Sequence, residues 1–181
     1  LKALENQHRD ATPEEQETLA NYVGWGGLAD AFDAEKTAWT GEYKELKAAL
    51  TEEEYAAARA STLNAHYTSP TVIRAIYEAL DGMGFEKGNI LEPSMGVGNF
   101  FGMLPDSMLG SRLYGVELDS ITGRIAQKLY PQAEIKVAGF ETTDRRDFYD
   151  LAVGNVPFGN YRVSDKPYDK LGFSKIGRAH V

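Results

Sequence analysis

The chain has 181 residues, 43% of them hydrophobic, and a formal net charge of −8. That composition describes a soluble globular chain with one main core plus an appendage, and no apolar run is long enough to span a bilayer. The absence of cysteine removes disulfides and thiolate metal sites, the scattered His8, His66 and His180 make no metal centre, and the acidic balance counts against self-sufficient nucleic-acid binding.

From Leu1 to about Ser61 the sequence is charged and helical in pattern. TPEEQETLANYV sets Thr12 as a helix cap, Pro13 at the first helical position and Glu15 to close a capping box. TEEEYAAARA repeats that logic from Thr51 to Glu54. Between them lies NYVGWGGLADAF, in which Gly24, Gly26 and Gly27 surround Trp25. Two readings stand. The segment is a tight turn whose Trp plugs a groove on the main domain, which Gly-Trp turns favour, or a loop that stacks on a base or cofactor.

From residue 62 onward helix and strand alternate. SPTVIRAIYEALDGMG begins with Ser69 as cap and Pro70 at the first position, puts Val72, Ile73, Ile76 and Leu80 on one face, and ends at Gly82. Four short apolar strands follow, in GNILEPS, RLYGVELD, AEIKVAGF and FYDLAVGN, with a helix from Ser120 to Pro131 between the second and third. This alternation predicts an α/β chain: a doubly wound, mostly parallel sheet of Rossmann-like type behind an N-terminal helical appendage. Ligands of such sheets sit at the carboxyl ends of the strands.

Those ends carry the informative residues. After the first strand come Glu92 and Pro93, then Gly96, Gly98 and Gly102, where backbone can approach a ligand closely. The third glycine is one position late for the dinucleotide fingerprint, so a pyrophosphate reading loses ground. Glu117 closes the second strand about 20 positions past Gly96, the spacing at which an acid meets ribose hydroxyls. Asp119 is the better candidate to cap the next helix. After the fourth strand the chain turns into NVPFG, which on its own could be an ordinary turn using Pro157 and Gly159.

Taken together, HYTSP (His66 to Pro70), EPSMGVGNF (Glu92 to Phe100), GVE ending at Glu117, GFE (Gly139 to Glu141) and NVPF (Asn155 to Phe158) resemble, in order and spacing, the S-adenosylmethionine-dependent DNA methyltransferases of the adenine-N6 class. The resemblance runs from Asn64 to about Tyr161 and implies the methyltransferase version of the Rossmann-like fold, with S-adenosyl-L-methionine as cofactor. It implies that Asn155 and the carbonyl of Val156 accept the amino hydrogens of an extruded adenine, that Pro157 shapes the loop, and that Phe158 stacks on the base. It also implies cofactor contacts from Glu92, Pro93, Gly96, Gly98 and Glu117. Tyr67 and Thr68 either hold the methionine end or belong to packing and the turn before the helix; Phe140 and Glu141 edge the cofactor's adenine unless Phe140 is a core residue. The family usually has proline directly after the asparagine; this chain has Val156. A backbone carbonyl survives that change, but the loop is less rigidly preset.

The segment YVGWGGL ahead of HYTSP and NVPFG also resembles the methylase-like front part of large helicase-methylase proteins carried by conjugative elements and phages. Three functions stay open: methylation of adenine N6 in DNA, a non-catalytic methyltransferase-like module, and methyl transfer to a protein glutamine or to RNA. For the first, DNA is the partner, and its grip comes mostly from recognition and helicase regions beyond this chain. The chain is expected to divide into a helical appendage at 1–61, an incomplete methyltransferase core at 62–175, and 176–181. That last stretch, IGRAHV, is similar to read-through into a sequencing adapter and is left out of the fold. TTDRRDFYD reads as a solvated loop. No membrane partner and no metal are expected, and without a charged-then-apolar leader the cytoplasm is the expected compartment.

Overall fold

The computed structural model of the chain describes residues 1–62 and 67–156. The N-terminal part is helical: α1 (Lys2–Asn6), α2 (Pro13–Ala20), α3 (Thr40–Ala49) and α4 (Glu52–Ser61), with 3-10 turns at Ala29–Phe32 and Thr37–Trp39. Both expected capping boxes form. Thr12 accepts from the Glu15 amide while Glu15 reaches back to the Thr12 amide, and Thr51 and Glu54 do the same, so each box satisfies two of the free N–H groups at its helix start.

The second part follows the expected alternation: α5 (Pro70–Gly82), β1 (Asn89–Glu92), α6 (Asn99–Gly102), β2 (Arg112–Glu117), α7 (Ser120–Leu129), β3 (Glu134–Val137) and β4 (Leu151–Ala152). Ser69 caps α5 and Pro70 occupies its first position. The buried stripe of α5 is Ile73 and Tyr77, with Ile76 and Leu80 partly covered. Val72, expected on that face, is 48% exposed because it lies about 100° round the helix from Ile73.

The four strands are parallel in the order β3-β2-β1-β4. β1 pairs with β2 from Asn89↔Arg112 to Glu92↔Gly115, and with β4 through Ile90↔Leu151 and Leu91↔Ala152. The chain steps outward from β1 to β3 and then returns to the far side of β1. That reversal makes the crevice between the carboxyl ends of β1 and β4 the place where such sheets bind ligands. One face of the sheet packs on the helices: Ile90 and Val153 meet Ile73 and Tyr77 of α5 and Phe100 of α6, while Phe101 and Met95 meet Ala126 of α7. On the other face Leu91, Tyr114 and Val116 lie under Phe148 and Tyr149. The loop before β4 is therefore more than a solvated connection. Arg145 stands 4.6 Å over the Phe148 ring and 5.0 Å over Tyr114, and pairs with Glu134.

The N-terminal helices are bound to α7 by charge as well as by packing. Arg124 of α7 bridges Glu5 of α1 and Glu54 of α4, and Lys2 completes the cluster at 3.0 Å from Glu54. Lys128 donates to the Arg9 carbonyl at 2.7 Å. Beneath these bonds Leu4, Leu19, Ile121 and Ile125 form a shared buried cluster.

Burial alone would raise the Glu54 carboxyl, but the Thr51 amide, Lys2 and Arg124 outweigh it and hold the group at about 2. A depressed folded pKa means that this contribution is complete above the ordinary 4.5 and is lost as pH falls towards 2. Arg124→Ala should therefore lower stability at neutral pH by about 1.5–3 kcal/mol and should flatten the acid limb of a urea-unfolding series. An acid limb unchanged from the parent would show that the Arg124 bond is not what depresses Glu54.

Candidate cofactor site at the carboxyl ends of the strands

The glycine loop after β1 is fixed at three points. The Met95 amide donates to the Val116 carbonyl at 3.0 Å, the Gly96 amide donates to Glu117 Oε2 at 2.8 Å, and the Tyr130 hydroxyl donates to the Gly98 carbonyl at 2.8 Å. Glycine is required where this happens. Gly98 has φ +84°, and a Cβ there would stand 2.5 Å from the Tyr130 ring. On the sheet beneath, a Cβ at Gly115 would overlap the Met95 sulfur at 2.2 Å, so the missing side chain lets Met95 drop in and pull the loop onto β2.

Glu117 is the hub. Its Oε1 accepts from the Asp119 amide at 2.8 Å while Oε2 holds Gly96, so the β2–α7 turn and the glycine loop are tied through one carboxylate. Each oxygen keeps lone-pair capacity for a further donor. Burial raises the Glu117 pKa, and its two amide bonds partly offset that rise. Asp119 takes the capping role, accepting from the Thr122 amide at 2.8 Å through Oδ1. The capping expected of Asp119 is thus observed.

Glu92 ends β1, is 2% exposed, and has an oxygen, Oε2, with no hydrogen-bond partner among the described residues. Burial, then the charge of Glu117, raises its pKa well above the carboxylate range. Gly154 brings the end of β4 against Glu92 and Pro93, since a Cβ on it would lie 3.4 Å from Glu92 Cγ and 3.5 Å from Pro93 Cδ. Asn155 and Val156 follow, both exposed, at the crevice between β1 and β4. Pro157, Phe158 and His66 lie outside the described residues.

Tyr67 packs in the cluster of Val97 and Ile121, its ring 3.3 Å from where a Cβ on Gly96 would stand. It thus walls the glycine loop as well as packing; Thr68 beside it is half-buried. The core alternative left open for Phe140 is ruled out: the residue is 50% exposed, on a 3-10 turn after β3, with Glu141 exposed beside it and folded back over Gly139. Leu118, which sequence reasoning passed over, is 74% exposed directly after Glu117. Leu118, Phe140 and Val156 therefore present apolar side chains just past the carboxyl ends of β2, β3 and β4. Its only signal in the sequence was a leucine between two acids.

The residues fit a nucleoside-bearing cationic cofactor. A carboxylate with spare acceptor capacity, an orphaned buried carboxyl, a glycine loop and exposed apolar edges suit hydroxyls, a polar tail and a flat base. No helix among the described residues is long and apolar enough to cross a membrane, and no cluster of histidines and acids among them is placed to hold a metal ion. A separate cleft lined by Lys47, Glu52, Tyr55 and Arg59 lies on α3 and α4 and not at the strand ends.

A raised folded pKa at Glu92 means the folded state holds its proton longer than the unfolded state does, so stability falls as pH rises from 4.5 towards the folded value. Glu92→Gln, a neutral isostere, should melt higher than the parent at about pH 8 and lose less between about pH 5 and pH 8. Parallel pH profiles for the two proteins would contradict this placement of Glu92.

Comparisons with known proteins agree with this fold. No protein-family model matches the chain. It is 33% identical to the defense against restriction protein B of Escherichia phage P1 over 163 residues, which cover 87% of this chain and 6% of that protein. It is 34% identical to the type II methyltransferase M.CvrRI of Paramecium bursaria Chlorella virus XZ-6E over 92 residues, 51% of this chain and 24% of that one. The chain thus spans well under half the length of these relatives. A solved structure from Listeria monocytogenes, described as a candidate class I S-adenosylmethionine-dependent methyltransferase, superposes with a TM-score of 0.51 at 14% identity, covering 90% of this chain and 56% of that one. The chain therefore has the class I S-adenosylmethionine-dependent methyltransferase fold and is methyltransferase-like in sequence.

Proposed function

We propose that this chain binds S-adenosyl-L-methionine and directs methyl transfer to the N6 amino group of adenine in DNA, as one part of a longer polypeptide whose other regions grip the DNA. The observation that carries this reading is the crevice between β1 and β4, where Glu92 and Pro93 meet the Gly154–Asn155 turn next to a glycine loop held by Glu117. The names of the relatives, a type II methyltransferase and a protein of defense against restriction, support the DNA assignment. The small share of each relative that the chain spans supports the longer polypeptide.

In this reading Glu117 accepts from ribose hydroxyls with the lone pairs its two amide bonds leave over, and Leu118 and Phe140 edge the adenine of the cofactor. Glu92, Tyr67 and Thr68 border the methionine end. When bound, S-adenosylmethionine supplies a methyl group on a sulfonium that is already an activated leaving group. The chain adds orientation and lone-pair control. The amino nitrogen of adenine is a poor nucleophile because its lone pair is delocalised into the ring. The side-chain oxygen of Asn155 and the carbonyl of Val156 accept its two hydrogens, which turns the lone pair towards the methyl carbon. Phe158 stacks on the extruded base, a contact worth about 1–3 kcal/mol against an extrusion cost of a few kcal/mol. The remainder is alignment, a proximity effect.

The test is product analysis. DNA incubated with the chain and S-adenosylmethionine is digested and its nucleosides are weighed by mass spectrometry. N6-methyladenine is expected, with Asn155→Ala reducing it by about 10²-fold or more, as for other preorganised hydrogen-bonding groups. Methylated RNA or a methylated glutamine in place of DNA product, or an Asn155→Ala variant with undiminished N6-methyladenine, would overturn the assignment.

A further inference from the structure

Of the glycines that follow β1, Gly96 and Gly98 sit in the left-handed region, at φ +58° and +84°, where the loop turns. Gly102, one position late for a dinucleotide fingerprint, takes no such φ. It is the exposed last residue of the one-turn helix α6. Glycine at an exposed helical position weakens a helix relative to alanine, so its presence here calls for another reason.

The reason is the tyrosine that ends α7. A Cβ on Gly102 would stand 2.7 Å from the Tyr130 hydroxyl oxygen, far inside contact distance, while the ring carbon that bears the hydroxyl lies at 3.9 Å, an ordinary contact. The space that Gly102 leaves is therefore taken by one oxygen. That hydroxyl donates to the Gly98 carbonyl at 2.8 Å, and the same carbonyl accepts from the Gly102 amide at 3.0 Å, so both of its lone pairs are used. The Tyr130 ring lies edge to face with Phe101 at 5.7 Å and fills the place where Gly98 lacks a side chain. Burial pushes the Tyr130 hydroxyl up to about 12, which keeps its proton in place. α6 has four residues, too few to hold their shape by their own bonds. Tyr77 of α5 makes a comparable bond, 2.8 Å from its hydroxyl to the Phe100 carbonyl, but within the helix and not on the loop.

We propose that Gly102 and Tyr130 are positioning residues for the cofactor: Gly102 leaves room for the Tyr130 hydroxyl, whose bond to the Gly98 carbonyl sets the backbone of the loop that receives the ligand. Both act through Gly98. The third glycine thus serves a tyrosine and not a pyrophosphate. The inference rests on the reading that the glycine loop receives S-adenosylmethionine.

The test measures affinity and stability separately, using S-adenosylhomocysteine as the probe in calorimetric titrations of the full chain. Tyr130→Phe should weaken binding by about three- to tenfold, the worth of a neutral hydrogen bond. Gly102→Ala should weaken it by a similar factor, because its methyl displaces the hydroxyl. The double variant should bind no worse than Tyr130→Phe alone, since both changes break one link. It should also melt above Tyr130→Phe, because alanine favours the helix and the added Cβ then meets a ring carbon at 3.9 Å. Tyr77→Phe is the control: it should lower the ligand-free midpoint, as Tyr130→Phe does, and keep the parent's affinity. The positioning role is wrong, and the cofactor reading stands, if the losses multiply in the double variant or Tyr77→Phe weakens binding equally. The same holds if Tyr130→Phe binds like the parent or has no cooperative melt. If the parent melts cooperatively but takes no S-adenosylhomocysteine, the cofactor reading fails and this inference with it.

Discussion

The site is organised by one carboxylate. Glu117 accepts a backbone N–H from Gly96 on one side and from Asp119 on the other, each at 2.8 Å, and so ties the loop after β1 to the turn after β2. Neither segment could keep its shape alone: the loop contains two glycines in the left-handed region, which are conformationally free in isolation, and the turn must hold α7 by its cap. Charge-assisted bonds to backbone are the stronger kind. Tyr130, pushed up to about 12 by burial and by Glu92, stays protonated and clamps the same loop from the far end of α7.

The electrostatic pattern follows from that arrangement. Burial raises both Glu92 and Glu117, and the charge of Glu117 adds to the rise at Glu92, which makes the strand ends an acidic pocket with a standing cost in the free protein. Such a cost is what a cationic, hydroxyl-rich ligand would relieve, and strain of this kind gathers at functional sites. Glu54 and Glu15 are both held at about 2 by arginine and backbone donors. The contrast separates acids that fasten helices from the buried acids at the strand ends. The Arg124 cluster joins the two parts of the chain, holding α1 and α4 against α7 and hence close to the turn at Asp119.

Much of this was legible in the sequence because it rests on local rules. Thr12, Thr51, Ser69 and Asp119 cap the helices that their spacing predicts, and the four strands form where the apolar runs lie. Gly96 and Glu117, singled out by their spacing for a ligand, lie within hydrogen-bonding distance of each other. What could not be read depends on tertiary placement. Phe140 looks like core by type but ends on an exposed turn, and Leu118 looks like filler between acids but stands open at the strand tip. Arg145 reads as solvated from its neighbours in sequence, while its actual neighbours are Tyr114 and Phe148, brought together by sheet packing.

The central claim is that Glu117 builds a site for S-adenosylmethionine. The direct test is a thermal melt of the chain with increasing S-adenosylmethionine, repeated with NADH and with Glu117→Ala. A ligand at about 100 times its dissociation constant adds roughly 2.7 kcal/mol of stability, enough to move the midpoint visibly. The account predicts a rise with S-adenosylmethionine, none with NADH, and none in the variant. A cooperative melt indifferent to S-adenosylmethionine, or an equal rise in Glu117→Ala, would contradict it.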